Sequence, residues 1–393
     1  MAKAKNYSNI GVAETITETD LHKLLKSKKT LNVKLGVDPT SKDLHLGHAV
    51  VLGMLKQFQD LGHKAYLVIG DFTASIGDPA GANKTRPALA ESEIRENMQT
   101  YLDQAKLILD MEKTEVVYNS SWLKDMTLGQ FTGYATEVSV NSLIEREDFA
   151  NRLKANQSLS LHELLYPVVQ ALDSVELKTD IEIGGWDQRL NLLTARELQK
   201  KLGQKPEVLI MMKGLIGTDG VKKMSKSHNN YIALTETAGQ MFGKIMSLKD
   251  ELIPNYAEMA AGFDEYQVNR LSTLHPKEAK IEVATAIVET YHGKEAAEQA
   301  RDIFEDTFSS RRVSSTLVEE IDFADFDLPL IQIVTKATAS SSSEARRLIE
   351  QGGVRINGET VKDQFKKVNL RNKSVQMQIG RHRFFSLLWK KDD

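Results

Sequence analysis

The apolar positions of this chain change period twice within one short stretch. Val33, Leu35 and Val37 alternate with Lys34 and Gly36, the two-residue period of a strand, and Asp38-Pro39-Thr40-Ser41 then supplies turn chemistry. From Leu46 the period lengthens: Val50, Val51, Met54, Leu55, Phe58 and Leu61 recur at three- and four-residue steps until Gly62 stops the run as a helix C-cap would. Ala65 to Ile69 is apolar again, at strand length. Strand, helix and strand in this order predict a βαβ unit whose helix opens at His45 to His48. The free N–H groups and positive dipole end at that point suit a phosphate. His45 and His48 share one face of the first turn, where both can hydrogen-bond phosphate oxygens, and Gly47 between them lets a flat nucleotide approach the backbone.

The remaining pattern extends this α/β reading. Residues 1 to 32 read as a helical lead-in with Leu21, Leu24 and Leu25 on one face. Gly70 to Gly81, rich in Gly, Asp and Ser, reads as an irregular loop leaving the C-terminal end of the second strand, where open α/β sheets place their ligands. Residues 88 to 110 predict a polar helix, Val116 to Tyr118 a strand, and 122 to 151 further helices. Leu161, Leu164, Leu165, Val168, Val169 and Leu172 define an apolar helix, followed by the strand Ile181 to Ile183, the helix Arg189 to Leu202 and the strand Val208 to Met212. Gly214 to Ser227, with three glycines and three lysines, predicts a mobile loop. Beyond Asn230 the period is helical, over Thr235–Met246, Tyr256–Thr273, Pro276–Tyr291 and Lys294–Phe304. An acidic, Ser-containing joint, Phe308 to Asp327, precedes a small α+β module: helix Ser341–Gln351, strand Val354–Ile356 and an Asn357-Gly358 hairpin turn.

Several polar residues sit where such a pattern gives them work. Tyr166, Gln170 and Asp173 share one stripe of the apolar helix, so they need partners: a ligand, or a polar seam at a helix or subunit contact. Asp78 takes a cationic ammonium group or caps the turn before Pro79, and Asp187 accepts from a ribose hydroxyl or caps the helix it precedes. Lys222, Lys223 and Lys226 neutralise charge on a departing pyrophosphate, or are simply solvated.

Composition narrows the classes. With 393 residues, 41% hydrophobic and 27% charged, the chain fits two or three globular domains and excludes disorder. Zero Cys excludes a disulfide scaffold, and two His at HxxH spacing without a second ligand cluster give no metal site. Met1 to Asn6 lacks a signal-peptide core, and no apolar run approaches about 20 residues, so a cytoplasmic protein is expected. The net charge of −3 is uneven: from Leu328 onward 13 Lys and Arg face 6 Asp and Glu, a basic segment suited to nucleic acid.

Two distant stretches sharpen the function. His45-Leu46-Gly47-His48 resembles the HIGH signature of class I aminoacyl-tRNA synthetases, and Lys223-Met224-Ser225-Lys226-Ser227 matches their KMSKS signature. With Gly36-Val37-Asp38-Pro39-Thr40, Gly77-Asp78-Pro79, Tyr166 to Asp173 and Gly184-Gly185-Trp186-Asp187-Gln188, the chain resembles the bacterial tyrosyl-tRNA synthetase family over nearly its whole length. The resemblance implies a Rossmann-like parallel-sheet catalytic domain with a helical insertion (1–230), a helical anticodon-binding domain (231–307), a linker (308–327) and a C-terminal RNA-binding module (328–393). It implies that Asp78, Tyr166 and Gln170 bind the tyrosine ammonium, that Asp173 accepts the phenolic hydroxyl, and that Lys34, Thr73 and Gln188 line the same side. Thr40, His45 and His48 would contact ATP phosphates, Lys223 and Lys226 would close over them, and Gly36, Asp38, Gly47, Gly185, Asp187, Gln188, Met224 and Ser225 would line the nucleotide. Arg346, Arg347 and Arg355 would meet tRNA. Also implied are Mg²⁺ accompanying the pyrophosphate and a homodimer binding tRNA across both subunits. Two residues depart from the pattern: Lys34 stands where many members have a second tyrosine, and Trp186 where a Thr or Ser is usual, so that its indole would shield the nucleotide side. They leave open a paralogue that activates another amino acid or resists adenylate-mimicking inhibitors; a non-catalytic RNA-binding protein is the other alternative.

Overall fold

The computed structural model describes residues 7–27, 29–40, 42–78, 91–145, 147–310, 318–338, 340–371, 375–380 and 383–389. Ser41, Pro79 to Gly81, the start of the expected helix 88–110 and residues 311–317 of the expected joint lie outside them.

Six strands form the main sheet: β1 (Val12–Ile16), β2 (Asn32–Val37), β3 (Lys64–Ile69), β4 (Thr114–Tyr118), β5 (Ile181–Gly185) and β6 (Val208–Met212). Their order is β1-β6-β5-β2-β3-β4, parallel except for β1 at the edge. Helical crossovers cover both faces of a parallel sheet, which is why β2, β3, β5 and β6 bury nearly all their apolar residues, including Val33, Leu35, Leu67, Ile69, Ile183 and Ile210. The expected βαβ unit is present: helix Leu46–Asp60 joins β2 to β3 and buries Leu46, Val50, Met54, Leu55 and Phe58. From β2 the chain winds outward through β3 and β4, then returns to place β5 on the other side of β2. That reversal opens a crevice at the C-terminal ends of β2 and β5, and Asp38 and Gly185 stand at its mouth.

Four expectations are corrected. The lead-in is strand β1 followed by helix Glu18–Lys26; the pattern Val12-Ala13-Glu14-Thr15-Ile16 is too short to announce an edge strand, which exists because β6 offers it a backbone partner. The stretch Gly70 to Gly81 contains a short helix, Thr73–Ile76, closed by Gly77 at φ +86°. Tyr256–Thr273 is two helices, Ile253–Met259 and Glu265–Leu271; between them Gly262 adopts φ +68°, and Asp264 caps the second by accepting from the Gln267 amide at 2.8 Å. Within the expected flexible joint, β7 (Val318–Phe323) is a sheet strand.

Residues Met1–Glu236 with Leu248–Val283 form one compact unit, and Thr237–Ser247 with Ala284–Asp393 form another. In the second, helix Ala238–Met246 packs on helix Lys294–Ser310 through Phe242 and Phe304, ring centroids 5.6 Å apart. Two small sheets follow: β8 (Asp327–Pro329) pairs with β11 (Lys367–Asn369), and β7 joins β9 (Val354–Ile356), β10 (Glu359–Thr360), β12 (Val375–Ile379) and β13 (Arg383–Trp389) in the other. The five strands of the larger sheet run β10-β9-β12-β13-β7, and helices Leu330–Thr338 and Ser342–Glu350 close a core of Ile333, Val334, Ile349, Val354, Met377 and Phe385. Asn357 and Gly358, both at positive φ, make the hairpin between β9 and β10 as expected.

Phe58 is fully buried under the sheet, so Phe58→Ala is expected to lower unfolding free energy by about 3–5 kcal/mol in urea titration, with the same native far-UV spectrum.

Candidate active site

His45 and His48 lie where the pattern places them: His45 is the N-cap of helix Leu46–Asp60 and His48 its third residue. Their rings lie against each other at a 33° tilt with centroids 3.8 Å apart. His48 Nδ1 accepts from the His45 amide at 3.2 Å, which leaves the ring proton on Nε2 as a donor. His45 Nδ1 is buried with no partner. A Cβ on Gly47 would sit 3.0 Å from the His45 ring, so only glycine leaves that imidazole its place. Burial holds both rings neutral: it pushes His45 down to about 3, helped by Lys226 and Lys223, and puts His48 well below the usual histidine range. Positive charge here therefore comes from the lysine loop and the helix end, while the imidazoles serve as uncharged hydrogen-bonding groups.

The lysine loop is tied to this helix by backbone. Leu46 N donates to Ile232 O (3.1 Å), Leu234 N donates to Leu44 O (2.9 Å), and His45 faces Ala233 in an antiparallel bridge. Lys226 Nζ donates to the Asp43 carbonyl, and burial lowers its pKa to about 8. Lys223 Nζ lies 2.7 Å from Asp187 Oδ1. The expectation of a mobile loop meets a latch: buried Asn230 accepts from Ser225 N at 2.8 Å and donates to Asp219 at 2.8 Å and to the Lys223 carbonyl at 3.3 Å. Met224 is buried and its amide donates to Leu215 O at 2.8 Å.

A second group of residues fills the crevice behind. Asp38, just past β2, accepts from Tyr166 Oη (2.8 Å) and Thr73 Oγ1 (2.7 Å). Gly70 makes room for this, since a Cβ there would lie 2.0 Å from Asp38 Oδ1. Asp78 accepts from Gln188 Nε2 (2.8 Å), and Gln188 in turn accepts from Asn191 (2.9 Å). Asp173 accepts from Trp122 Nε1 (3.0 Å) and Asn119 Nδ2 (3.4 Å). Burial pushes both Asp38 and Asp173 up to about 7; Asp78 adds to the first, and Lys34 opposes the second. Gln170 Oε1 is buried without a partner. The crevice thus gathers three carboxylates and an unpaired amide oxygen, acceptors that suit a ligand carrying an ammonium and a hydroxyl.

The other expected residues are placed as follows. Thr40 sits half-buried in the turn after β2, its amide donating to Asp38 O at 2.8 Å, and Gly36 leaves open space above the strand. A Cβ on Gly185 would meet Asp187 Oδ1 at 2.5 Å and crowd its ion pair with Lys223. Asp187 is not the cap of the next helix: it lies in the 3₁₀ turn Trp186–Gln188, and Gln188 is the N-cap. Trp186 is exposed, its ring 5.6 Å from the Arg189 guanidinium. Lys34 is buried and paired with Glu182. In the other unit Arg346, Arg347 and Arg355 are exposed, and Arg346 donates to Gln364 at 2.9 Å. Sequence reasoning missed Asn119, Trp122, Gly70 and Asn230. Asn119 had a signal: like Asp38, it immediately follows the C-terminal end of a parallel strand.

A parallel sheet with a switch-point crevice, and a histidine helix tied to a lysine loop, describe an α/β domain of nucleotide-binding type. Residues 26–309 match the model of class I tRNA synthetases (W and Y), and residues 330–370 that of the S4 domain. The chain is 43% identical over 397 residues to the tyrosine–tRNA ligase of Carboxydothermus hydrogenoformans, covering 97% of this chain and 96% of that one. It is 44% identical to the tyrosine–tRNA ligase of Moorella thermoacetica, covering 96% and 94%. Its fold is similar to a tyrosyl-tRNA synthetase from Archaeoglobus fulgidus solved with L-tyrosine (TM-score 0.61, 24% identity, 75% of this chain and 97% of that one). The chain belongs to the tyrosine–tRNA ligase family of class I synthetases and carries an S4 domain.

The two neutral histidines give a stability signature. Below about pH 6.5 the unfolded chain protonates them while the folded chain does not, so stability falls as pH drops towards 3 and is insensitive to them above 6.5. In His45→Gln/His48→Gln the loss of unfolding free energy between pH 7 and pH 5 is expected to shrink by up to about 4 kcal/mol in urea titration.

Proposed function

We propose that this tyrosine–tRNA ligase activates L-tyrosine with ATP in the crevice of the main sheet and transfers the product to the 3′ end of tRNA(Tyr). The observation that carries this reading is the joining of the two signature segments through Leu44–Leu46 and Ile232–Leu234, which sets lysines beside a helix N-terminus. Asp78, Tyr166 and Gln170 hold the tyrosine ammonium, with Asp38 and Thr73 orienting the Tyr166 hydroxyl. Asp173 takes the phenolic hydroxyl, and phenylalanine would leave it unpaired in a buried site. Thr40, His45 and His48 contact the ATP phosphates, and Gly36, Gly47, Gly185, Asp187, Gln188, Met224 and Ser225 line the nucleotide. The tyrosine carboxylate attacks the α-phosphorus in line and pyrophosphate leaves towards Lys223 and Lys226, whose ammonium groups offset its charge. Mg²⁺ arrives bound to ATP as part of the substrate. No covalent enzyme intermediate forms, so catalysis is positioning together with electrostatic stabilisation.

The domain reading is 1–230 catalytic, 231–307 anticodon-binding, 308–327 linker and 328–393 tRNA-binding, with Arg346, Arg347 and Arg355 on tRNA phosphates. A homodimer is supported by Leu128, Val140, Leu153 and Leu161, large exposed apolar side chains concentrated in the insertion between β4 and β5. No helix among the described residues is long and apolar enough to cross a membrane, and a cytoplasmic setting fits the chemistry.

Tyrosine-dependent ATP–pyrophosphate exchange tests the reaction: His45→Ala is expected to slow exchange by about 10²-fold or more while tyrosine affinity changes less than about threefold. Equal losses in both would remove His45 from the phosphate side. Binding of tRNA is expected to weaken steeply with salt, each phosphate contact adding about 0.7–0.9 to the log–log slope, and a flat response would remove the arginines from the RNA surface.

A further inference from the structure

The lysine loop is built around a buried amide that the reaction above does not use. Asn230, 2% exposed, ends the loop, and its side chain bonds back across it. Its Oδ1 accepts from the Ser225 amide at 2.8 Å, and its Nδ2 donates to Asp219 Oδ2 at 2.8 Å, to the Lys223 carbonyl at 3.3 Å and to the Lys222 carbonyl at 3.5 Å. The other Asp219 oxygen accepts from the amides of Val221 at 3.0 Å and Lys222 at 3.1 Å, so the turn at the tip is tied to the same hub. Room for the amide comes from a glycine. A Cβ on Gly217 would lie 2.1 Å from Asn230 Nδ2 and 2.8 Å from the Asn230 carbonyl oxygen, so a side chain there would displace it. The opening limb is held as well: Ile216 N donates to Asn255 Oδ1 at 3.0 Å, on helix Ile253–Met259, and Ile216 pairs with Lys223 in an antiparallel bridge.

The partners of Asn230 fall on both sides of Met224, between the two signature lysines. The Lys223 carbonyl and the Ser225 amide flank that residue, and Lys226 follows directly. One side chain therefore fixes the backbone from which both ammonium groups project. It also sets that backbone against the histidine helix: Thr218 N donates to the Asn230 carbonyl at 2.9 Å, and two residues on Ile232 begins the pairing with Leu44 to Leu46. What remains to move is the lysine stems. Lys223 rests on Asp187 and Lys226 on the Asp43 carbonyl through their ammonium groups alone, contacts that a rotation of the stem exchanges for a phosphate. Ordering a backbone costs conformational entropy, and here that cost is met on folding rather than as charge develops. We infer that Asn230 is a positioning residue for adenylate formation: it holds the main chain of the loop in place so that Lys223 and Lys226 meet the departing pyrophosphate by side-chain rotation. This rests on the reading of those lysines as the groups that offset pyrophosphate charge. An effect exercised through them belongs to the transition state and leaves tyrosine and ATP binding largely alone.

The test is tyrosine-dependent ATP–pyrophosphate exchange with the intact chain, Asn230→Ala and Asp219→Ala, each substitution also made in a Lys223→Ala and in a Lys226→Ala background. Asp219 is exposed, so Asp219→Ala carries the test if Asn230→Ala does not fold. Asn230→Ala is expected to lower kcat about 10- to 100-fold, and Asp219→Ala at least about threefold, with the KM for tyrosine and for ATP within about threefold of the intact chain. A side chain that only satisfied loop backbone would cost the same with or without the lysines, whereas one that acts through them loses its effect where they are gone. The loss is therefore expected to shrink at least about threefold in one lysine background or both. A folded Asn230→Ala chain with kcat within about twofold of the intact one, a KM for tyrosine that rises as much as kcat falls, or undiminished losses in both lysine backgrounds overturns the proposal while the functional reading stands. No tyrosine-dependent exchange by the intact chain overturns the functional reading first, and this proposal with it.

Discussion

The site depends on a short stretch of backbone pairing. Leu44 to Leu46 and Ile232 to Leu234 are far apart in the chain, yet their amides and carbonyls join directly, and His45 faces Ala233 across the bridge. Without that pairing the histidine helix would be an ordinary anion-binding terminus and the lysines an ordinary solvated loop. With it, Lys226 reaches the Asp43 carbonyl, Met224 packs near Gly47, and Asn230 fixes the base of the loop from inside. A side-chain chemistry read as two separate signals becomes one site because main-chain groups must find partners when they leave water.

The crevice behind it is governed by the opposite problem: too many carboxylates and too little solvent. Asp78 and Asp173 both push Asp38 up, and the three carboxylates are held by donors from several elements: Tyr166 and Thr73, Gln188, then Trp122 and Asn119. Such a network fixes its side chains before any ligand arrives, which is what the proposed discrimination by one hydroxyl group needs.

What could be read from the sequence follows from what is local. The βαβ unit, the helix opening at His45 and the Asn357-Gly358 hairpin rest on periodicity and turn chemistry within a few residues, and all three are present. Edge strand β1 and strand β7 were misread because each owes its conformation to a distant partner, β6 and β13. The same division runs through the site. His45 and Lys223 belong to short signatures, whereas Asn119, Trp122 and Asn230 are single polar residues whose role appears only when the sheet and loop close around them. Lys34 is the sharpest case: its alternating position in β2 was legible, but nothing local showed that β5 would set Glu182 against it.

The neutrality of the two histidines divides the proposed phosphate contacts into parts that ionic strength treats differently. Lys223 is half exposed, so its attraction for a polyanion is screened at physiological salt over about 8 Å. The imidazoles, His45 buried and His48 half-buried, act only at hydrogen-bond distance. In the proposed reaction, long-range capture of the nucleotide would fall to the loop and weaken in salt, whereas registration of its phosphates would fall to the helix end and depend less on ionic strength.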